Sequence, residues 1–126
     1  MGLRVLTISL VNCGTRSYTL DGYPDVWVLG ADRRPLIIDV LHGSRPIATI
    51  DSFGRPARTV TLKPGQRAWF GLVWRNLVTD GSLPQTKGVS LAVSPKTAAP
   101  AQIVDLRDAI DLGDTARIGL SPWTRS

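Results

Sequence analysis

Glutamate is missing altogether: all 10 acidic residues of the 126-residue chain are Asp. Glu is a good helix former, whereas Asp, Gly and Pro favour turns. A chain with no Glu, 12 Gly and 9 Pro therefore predicts short strands between turns rather than long surface helices. Cysteine and histidine occur once each, as Cys13 and His42. A lone thiol closes no internal disulfide, so the fold must hold without one. Zinc needs several thiolate or imidazole ligands at workable spacing, and the chain has neither a Cys-x-x-Cys nor a His-x-x-x-His arrangement. The expectation is no metal and no cofactor. No glycine-rich phosphate loop opens a helix, because Gly22, Gly30 and Gly54 read as turn residues. Long apolar runs are also lacking, and none approaches membrane-spanning length.

The N-terminus shows no basic stretch followed by a continuous apolar run and a small-residue cleavage site. Met1-Gly2 begins like an acylation signal, but Leu6 stands where that motif needs Ser or Thr. As written, the chain is expected in the cytoplasm; it would be extracytoplasmic as the trimmed mature part of an exported protein. Its length suits one β-sandwich domain, residues 1–126, large enough to bury a core without staples. The formal net charge is +5, and Arg far outnumbers Lys. The basic residues are spread along the chain rather than gathered in a tract, which disfavours nucleic acid as a partner. Weak attraction to anionic surfaces is what such a balance gives.

What the chain does contain is alternation. Leu6, Ile8 and Leu10 alternate with Thr7 and Ser9, the two-residue period of a half-buried strand. That run ends at Asn12-Cys13-Gly14, where Asn and Gly tolerate positive φ. Tyr18-Thr19-Leu20 reads as a short extended piece. Asp21-Gly22-Tyr23-Pro24 is a second corner, with Pro24 holding Tyr23 out of the helical region. A corner tyrosine is expected to bury its ring and bond a nearby backbone group through its hydroxyl. Val26 to Leu29 follows as a strand, Val26 and Val28 inward and Trp27 outward. Leu36-Ile37-Ile38-Asp39-Val40-Leu41 is apolar on both faces and reads as a central strand. Residues 47–56 carry little pattern.

Arg58 to Leu62 alternates again, and Lys63-Pro64-Gly65-Gln66 places Pro and Gly where a type II turn wants them. Over Arg67 to Arg75, parity sends Ala68, Phe70, Leu72 and Trp74 to the core and Arg67, Trp69, Gly71, Val73 and Arg75 to the other face. Residues 76–87 read as a loop. Val89, Leu91 and Val93 then alternate with Ser90 and Ala92 up to Pro95. Ile103 to Leu106 suits an edge strand, and Ala116 to Leu120 closes the sheet. Seven or eight short strands between turns predict an all-β fold, an immunoglobulin-like antiparallel β-sandwich.

The pattern Asn12-x-Gly14, Thr19-Leu20-x-Gly22-Tyr23-Pro24 and Leu62-Lys63-Pro64-Gly65-Gln66-Arg67-Ala68 resembles a bacterial family of uncharacterised extracytoplasmic β-sandwich domains. Such domains are frequent in secreted proteins and lipoproteins of actinobacteria. The ending Asp111-Leu112-Gly113-Asp114-Thr115 through Leu120-Ser121-Pro122-Trp123 is similar to a subgroup of them. The resemblance implies a binding role without specifying a ligand, since its motifs are turn signatures. Many relatives carry a cysteine where Tyr18 stands here, with a partner later in the chain, and begin with a further strand and an export signal. A strand edge left uncovered by that difference would pair with a second chain, so a homodimer is expected.

Several residues are candidates for chemistry. Asp105, Asp108, Asp111 and Asp114 recur every third residue, a spacing that would align carboxylates on a 3₁₀ turn and could hold calcium. Interleaved apolar residues, Arg107 and the absence of a calcium-loop pattern favour solvated or capping aspartates instead. His42 could act as a general base, with Asp39 and Cys13 as the other catalytic candidates, although no nucleophile motif accompanies them. Trp69, with Arg67 and Arg75 on its face, offers an indole between guanidiniums, a platform for a sugar, an aromatic ligand or a base. The plainer reading packs Trp69 under a loop with the Arg stems over it. Trp27 and Trp123 are weaker platforms.

The leading expectation is a noncatalytic binding or protein-interaction module for an unknown small molecule or protein. The alternative is a cofactor-independent enzyme, a cyclase or isomerase with a pocket between the sheets. A third is a salt-sensitive nucleic-acid binder using Arg67, Trp69 and Arg75. A deep apolar cavity containing His42, Asp39 or Cys13 would favour the enzyme, and a filled core the module.

Overall fold

Alternating apolar residues can bury one face of a strand only against a second layer, and the computed structural model, which describes residues 2–78 and 86–126, shows which layers these are. Ten strands occur among the described residues. They are β1 (Leu3–Val11), β2 (Tyr18–Asp21), β3 (Asp25–Leu29), β4 (Asp39–His42), β5 (Thr59–Leu62), β6 (Arg67–Arg75), β7 (Thr86–Ser94), β8 (Gln102–Gly113), β9 (Arg117–Leu120) and β10 (Thr124–Arg125). A 3₁₀ turn spans Asp51–Gly54. One sheet has the order β1-β6-β9-β4, with β10 also beside β6; β2 and β5 form a two-stranded ribbon; β3-β7-β8 form the third sheet. The chain is all-β and sandwich-like. Pairings are antiparallel except β4 with β9, which run parallel.

β6 organises the interior. Ala68, Phe70, Leu72 and Trp74 are all buried, as parity requires. They meet Leu20, Val60 and Leu62 from the ribbon, Val26, Val28, Leu91, Val93, Ile110 and Leu112 from the third sheet, and Ile118 and Leu120 from β9. Trp123 closes one end of this core, its ring edge-on to Phe70 at 5.0 Å and 81°, a favoured aromatic geometry. Its indole N–H donates to the Pro95 carbonyl at 3.0 Å. The opposite face of β6 is not free either. Val73 is fully buried with Ile47 and Phe53, so residues from the 47–56 stretch, which carried little pattern, form a second small core outside the sheet.

Asn12 ties the first corner together. Its side-chain amide donates to the carbonyls of Arg16 and Leu62, each at 2.8 Å, and its side-chain oxygen accepts from Gly14 N–H at 3.0 Å. The type II turn is present as expected: Gly65 has φ +86°, and Gln66 N–H donates to the Lys63 carbonyl at 2.9 Å. Gly65 N–H in turn donates to the Asn12 carbonyl, so the two turns brace each other.

Four expectations need correction. The run Leu36 to Leu41 is not a central strand: Leu36 N–H bonds Val28 at 2.8 Å, the chain then crosses between sheets, and β4 starts at Asp39 on a sheet edge. Leu36 and Ile38 reach the core from its rim, while Ile37 is 99% exposed. A bulge in β8 opposite Val89 breaks the parity of β7, because the register shifts between Gly88 and Ser90 with the extra residues on β8. Val89 is consequently exposed and Ser90 buried, with no partner for the Ser90 hydroxyl among the described residues. The third-residue aspartates Asp105, Asp108 and Asp111 lie on extended β8, where that spacing alternates faces and gathers no carboxylates. Finally, the proposed 76–87 loop includes residues 79–85, which lie outside the described residues, while Thr86 and Lys87 already belong to β7.

The bulge makes a testable contrast. Leu91→Ala removes a fully buried side chain and is expected to cost about 2–5 kcal/mol. Val89→Ser is expected to change stability by no more than about 0.5 kcal/mol. Urea unfolding of both variants checks the pair, and similar losses at the two positions would mean that β7 keeps an unbroken alternation.

Candidate functional site

A broad concavity forms where β4 leaves the sheet. Gly43 takes φ +97° and its N–H donates to the Leu120 carbonyl at 2.7 Å. A Cβ on Gly119 would collide with the Gly43 carbonyl, so glycine is required where the two backbones approach. The segment that follows folds back on itself. Ser44 accepts from Ile50 N–H through its hydroxyl at 3.2 Å and from Ala48 N–H through its carbonyl at 2.9 Å. Phe53 lies on Gly71, within 2.8 Å of where a Cβ would stand. A cleft of about 770 Å³ results, lined by residues including Tyr23, His42, Arg45, Asp51 and Arg55. Its wall is an aromatic pair: the Tyr23 and His42 rings stack at 3.8 Å, 5° from parallel. Tyr23 is half-buried, and this ring contact replaces the backbone hydrogen bond expected of its hydroxyl.

The outer face of β6 carries the other sequence candidates. Trp69 is half-buried, with Ser9 and Thr124 opposite it on either side. Arg67 lies two residues away and is exposed. Arg75 lies six residues away at the far end of the strand, where its Nε donates to the Ile47 carbonyl at 2.8 Å. Phe53, seated over Gly71, stands between Trp69 and Arg75. On the opposite side of the molecule, Trp27 is 43% exposed. It pairs across the sheet with Ala92, which pairs with Ile103, and Ile103 is 51% exposed. Trp123, by contrast, is buried in the core.

The catalytic candidates stand apart. His42 lines the 770 Å³ cleft. Cys13, an exposed free thiol, lines a different one of about 290 Å³ together with Tyr18 and Pro95. Asp39 is exposed on β4, in register with Arg117. Among the described residues no three His, Cys or Asp side chains are grouped to hold a metal ion, and no helix is long and apolar enough to cross a membrane.

One family pattern, Domain of unknown function (DUF4232), matches residues 1–124. The chain belongs to this family. No curated protein matches it, and no solved structure does. The site of this DUF4232 domain is therefore described by its own geometry. Sequence reasoning missed the segment 44–56 as a site-builder. Its signals are sparse: Ile47 and Phe53 do not follow a strand period, because they pack on β6 from a 3₁₀ turn and a loop.

The aromatic wall should be measurable. A double-mutant cycle on Tyr23→Ala and His42→Ala is expected to return a coupling of about 0.5–1.5 kcal/mol in unfolding free energy. Additive losses would show that the two rings do not support each other in solution.

Proposed function

We propose that this chain is a noncatalytic binding module that meets a small molecule or a protein on its surface. The observation that carries the reading is the filled interior. Leu20, Leu62, Phe70, Leu72, Leu91 and Leu112 from all three sheets are fully buried against one another, so the centre of the interior is filled by side chains at the density usual for protein cores. Three clefts at the rim of that core are lined by loops and strand ends, where binding residues are carried most often, and a fourth, of about 560 Å³, opens between β1, β6 and β8 with none of His42, Asp39 or Cys13 in its lining. Exposed Trp27 and Ile103, with half-buried Ala92 between them, add an apolar strip of the kind that marks interaction surfaces. The separation of His42, Cys13 and Asp39 supports binding over a cyclase or isomerase, since that chemistry needs its groups convergent on one substrate.

Pairing of two copies fits the same reading. β1 hydrogen-bonds to β6 along one edge, no strand among the described residues pairs with its other edge, and Leu3 and Val5 on it are exposed. A free edge of nine residues is a template for another strand, and a homodimer through β1 would cover it.

Two measurements test these statements. The purified chain is incubated with a cell metabolite extract and dialysed, and the retained compounds are followed by mass spectrometry over time. A binding module retains its ligand with unchanged composition; steady conversion of a retained compound into a new one would make the chain an enzyme. Light scattering across a concentration series is expected to give the dimer mass, and a monomer throughout would remove the β1 pairing.

A further inference from the structure

The arginines that look scattered in sequence converge at one place in the fold. A second cleft, of about 340 Å³, adjoins the one beside Tyr23 and His42, and the two share Arg55 and Pro56 as lining residues. Arg45 and Arg55 line the larger cleft, and Arg55, Arg58 and Arg125 the smaller. Two pairings bring them together. Gly22 N–H bonds the Arg58 carbonyl at 3.1 Å, and Trp123 N–H bonds the Gly22 carbonyl at 2.8 Å, which sets the chain end against the β2–β5 ribbon. Arg125 then donates to the Thr61 carbonyl at 2.7 Å.

The side chains of Arg45, Arg55 and Arg58 have no hydrogen-bond or ion-pair partner among the described residues. Asp51 is the one carboxylate lining either cleft, and the neighbouring Asp21 reaches only the Thr59 hydroxyl, at 3.5 Å. Like charges held in a concavity focus a positive potential there. A guanidinium presents paired N–H donors that match the oxygens of phosphate two at a time.

We infer that these adjoining clefts form a binding site for a small ligand carrying at least two phosphate groups, one seated in each cleft, with Arg55 reaching both. This rests on the reading of the chain as a binding module and names the ligand class for it. The concave form favours a compact polyphosphorylated molecule over a duplex or a membrane, each of which needs a stripe or a plane of basic residues. The Tyr23–His42 stack at the wall gives the non-phosphate part of such a ligand a flat surface to lie against.

Isothermal titration at fixed, near-physiological ionic strength tests the inference with inorganic tripolyphosphate and orthophosphate as probes. Tripolyphosphate is expected to bind one per chain and at least about ten times more tightly than orthophosphate. Arg55→Ala and Arg58→Ala should each weaken it by about tenfold or more, and Arg55→Lys, which keeps the charge but not the fork, by less. Arg107→Ala removes the same charge from the exposed β8 segment, beside a different cleft, and should leave the affinity unchanged. These arginines are exposed, and unaltered thermal unfolding confirms that each variant folds. Equal losses in Arg55→Ala and Arg107→Ala would reduce the effect to overall charge and overturn the site. So would absence of binding at millimolar tripolyphosphate, or tighter binding of single-stranded oligo-dT that depends on the same arginines. Retention of an uncharged metabolite without tripolyphosphate binding would overturn this inference while leaving the binding-module reading intact.

Discussion

β6 is enclosed on every side over its middle, and the rest of the molecule is arranged by that enclosure. β1 pairs with one edge and β9 and β10 with the other. Its inner face lies in the main core, and Gly71 and Val73 on its outer face lie under Phe53 and Ile47. A strand so placed has no water to satisfy its backbone, so each N–H must find a partner. The gap between β9 and β10 shows how strictly this holds. Pro122 interrupts the pairing, and the Ser121 hydroxyl accepts from Gly71 N–H at 2.6 Å while Ser121 N–H donates to the Gly71 carbonyl at 2.9 Å. Gly71 is needed at the same spot, because a larger residue would strike Phe53.

Closing the middle of β6 decides where a ligand can be met. The outer segment that seals Val73 must leave β4, cross the sheet and return, and its return creates the hollow beside Tyr23 and His42. The second core and the cleft therefore have one cause. Phe53 and Ile47 hold the segment down, while the residues around them, Arg45, Asp51 and Arg55, are left facing solvent. The same segment limits Trp69, whose far side along the strand is occupied by Phe53.

The sequence was readable wherever one strand's own alternation decided burial. Ala68, Phe70, Leu72 and Trp74, and Val26 and Val28 with Trp27 outward, follow from the two-residue period alone, and the turn at Pro64-Gly65 follows from backbone conformational limits. It was not readable where a partner decided. Leu36 to Leu41 is apolar enough for a central strand but serves as a crossover, since Val28 captures Leu36 N–H before the run can join a sheet. Val89 looks like its neighbours Leu91 and Val93, yet between the paired positions Gly88–Ile110 and Ser90–Asp105 β8 holds residues 106–109, with Val89 alone opposite them. No periodicity within β7 carries that count. Residues 44–56 lacked a pattern because their two anchors, Ile47 and Phe53, answer to β6 and not to each other.

The gathered arginines belong with the non-local features, and the missing glutamate bears on why they stay unpaired. Arg45, Arg55, Arg58 and Arg125 come from four separate stretches, so charge spacing along the chain cannot show them as a group. Carboxylates are supplied here by Asp alone, whose single methylene gives it short reach. Among the described residues Arg33 pairs with Asp105 at 3.1 Å and Arg34 with Asp32 at 3.9 Å, residues close in sequence or brought close by loop 30–35. A glutamate has a longer arm than an aspartate with which to neutralise a guanidinium across a cleft. Exposed ion pairs contribute little stability, so leaving the Arg45, Arg55 and Arg58 guanidiniums without a carboxylate costs the fold little, and Arg125, bonded to the Thr61 carbonyl, keeps its charge beside them.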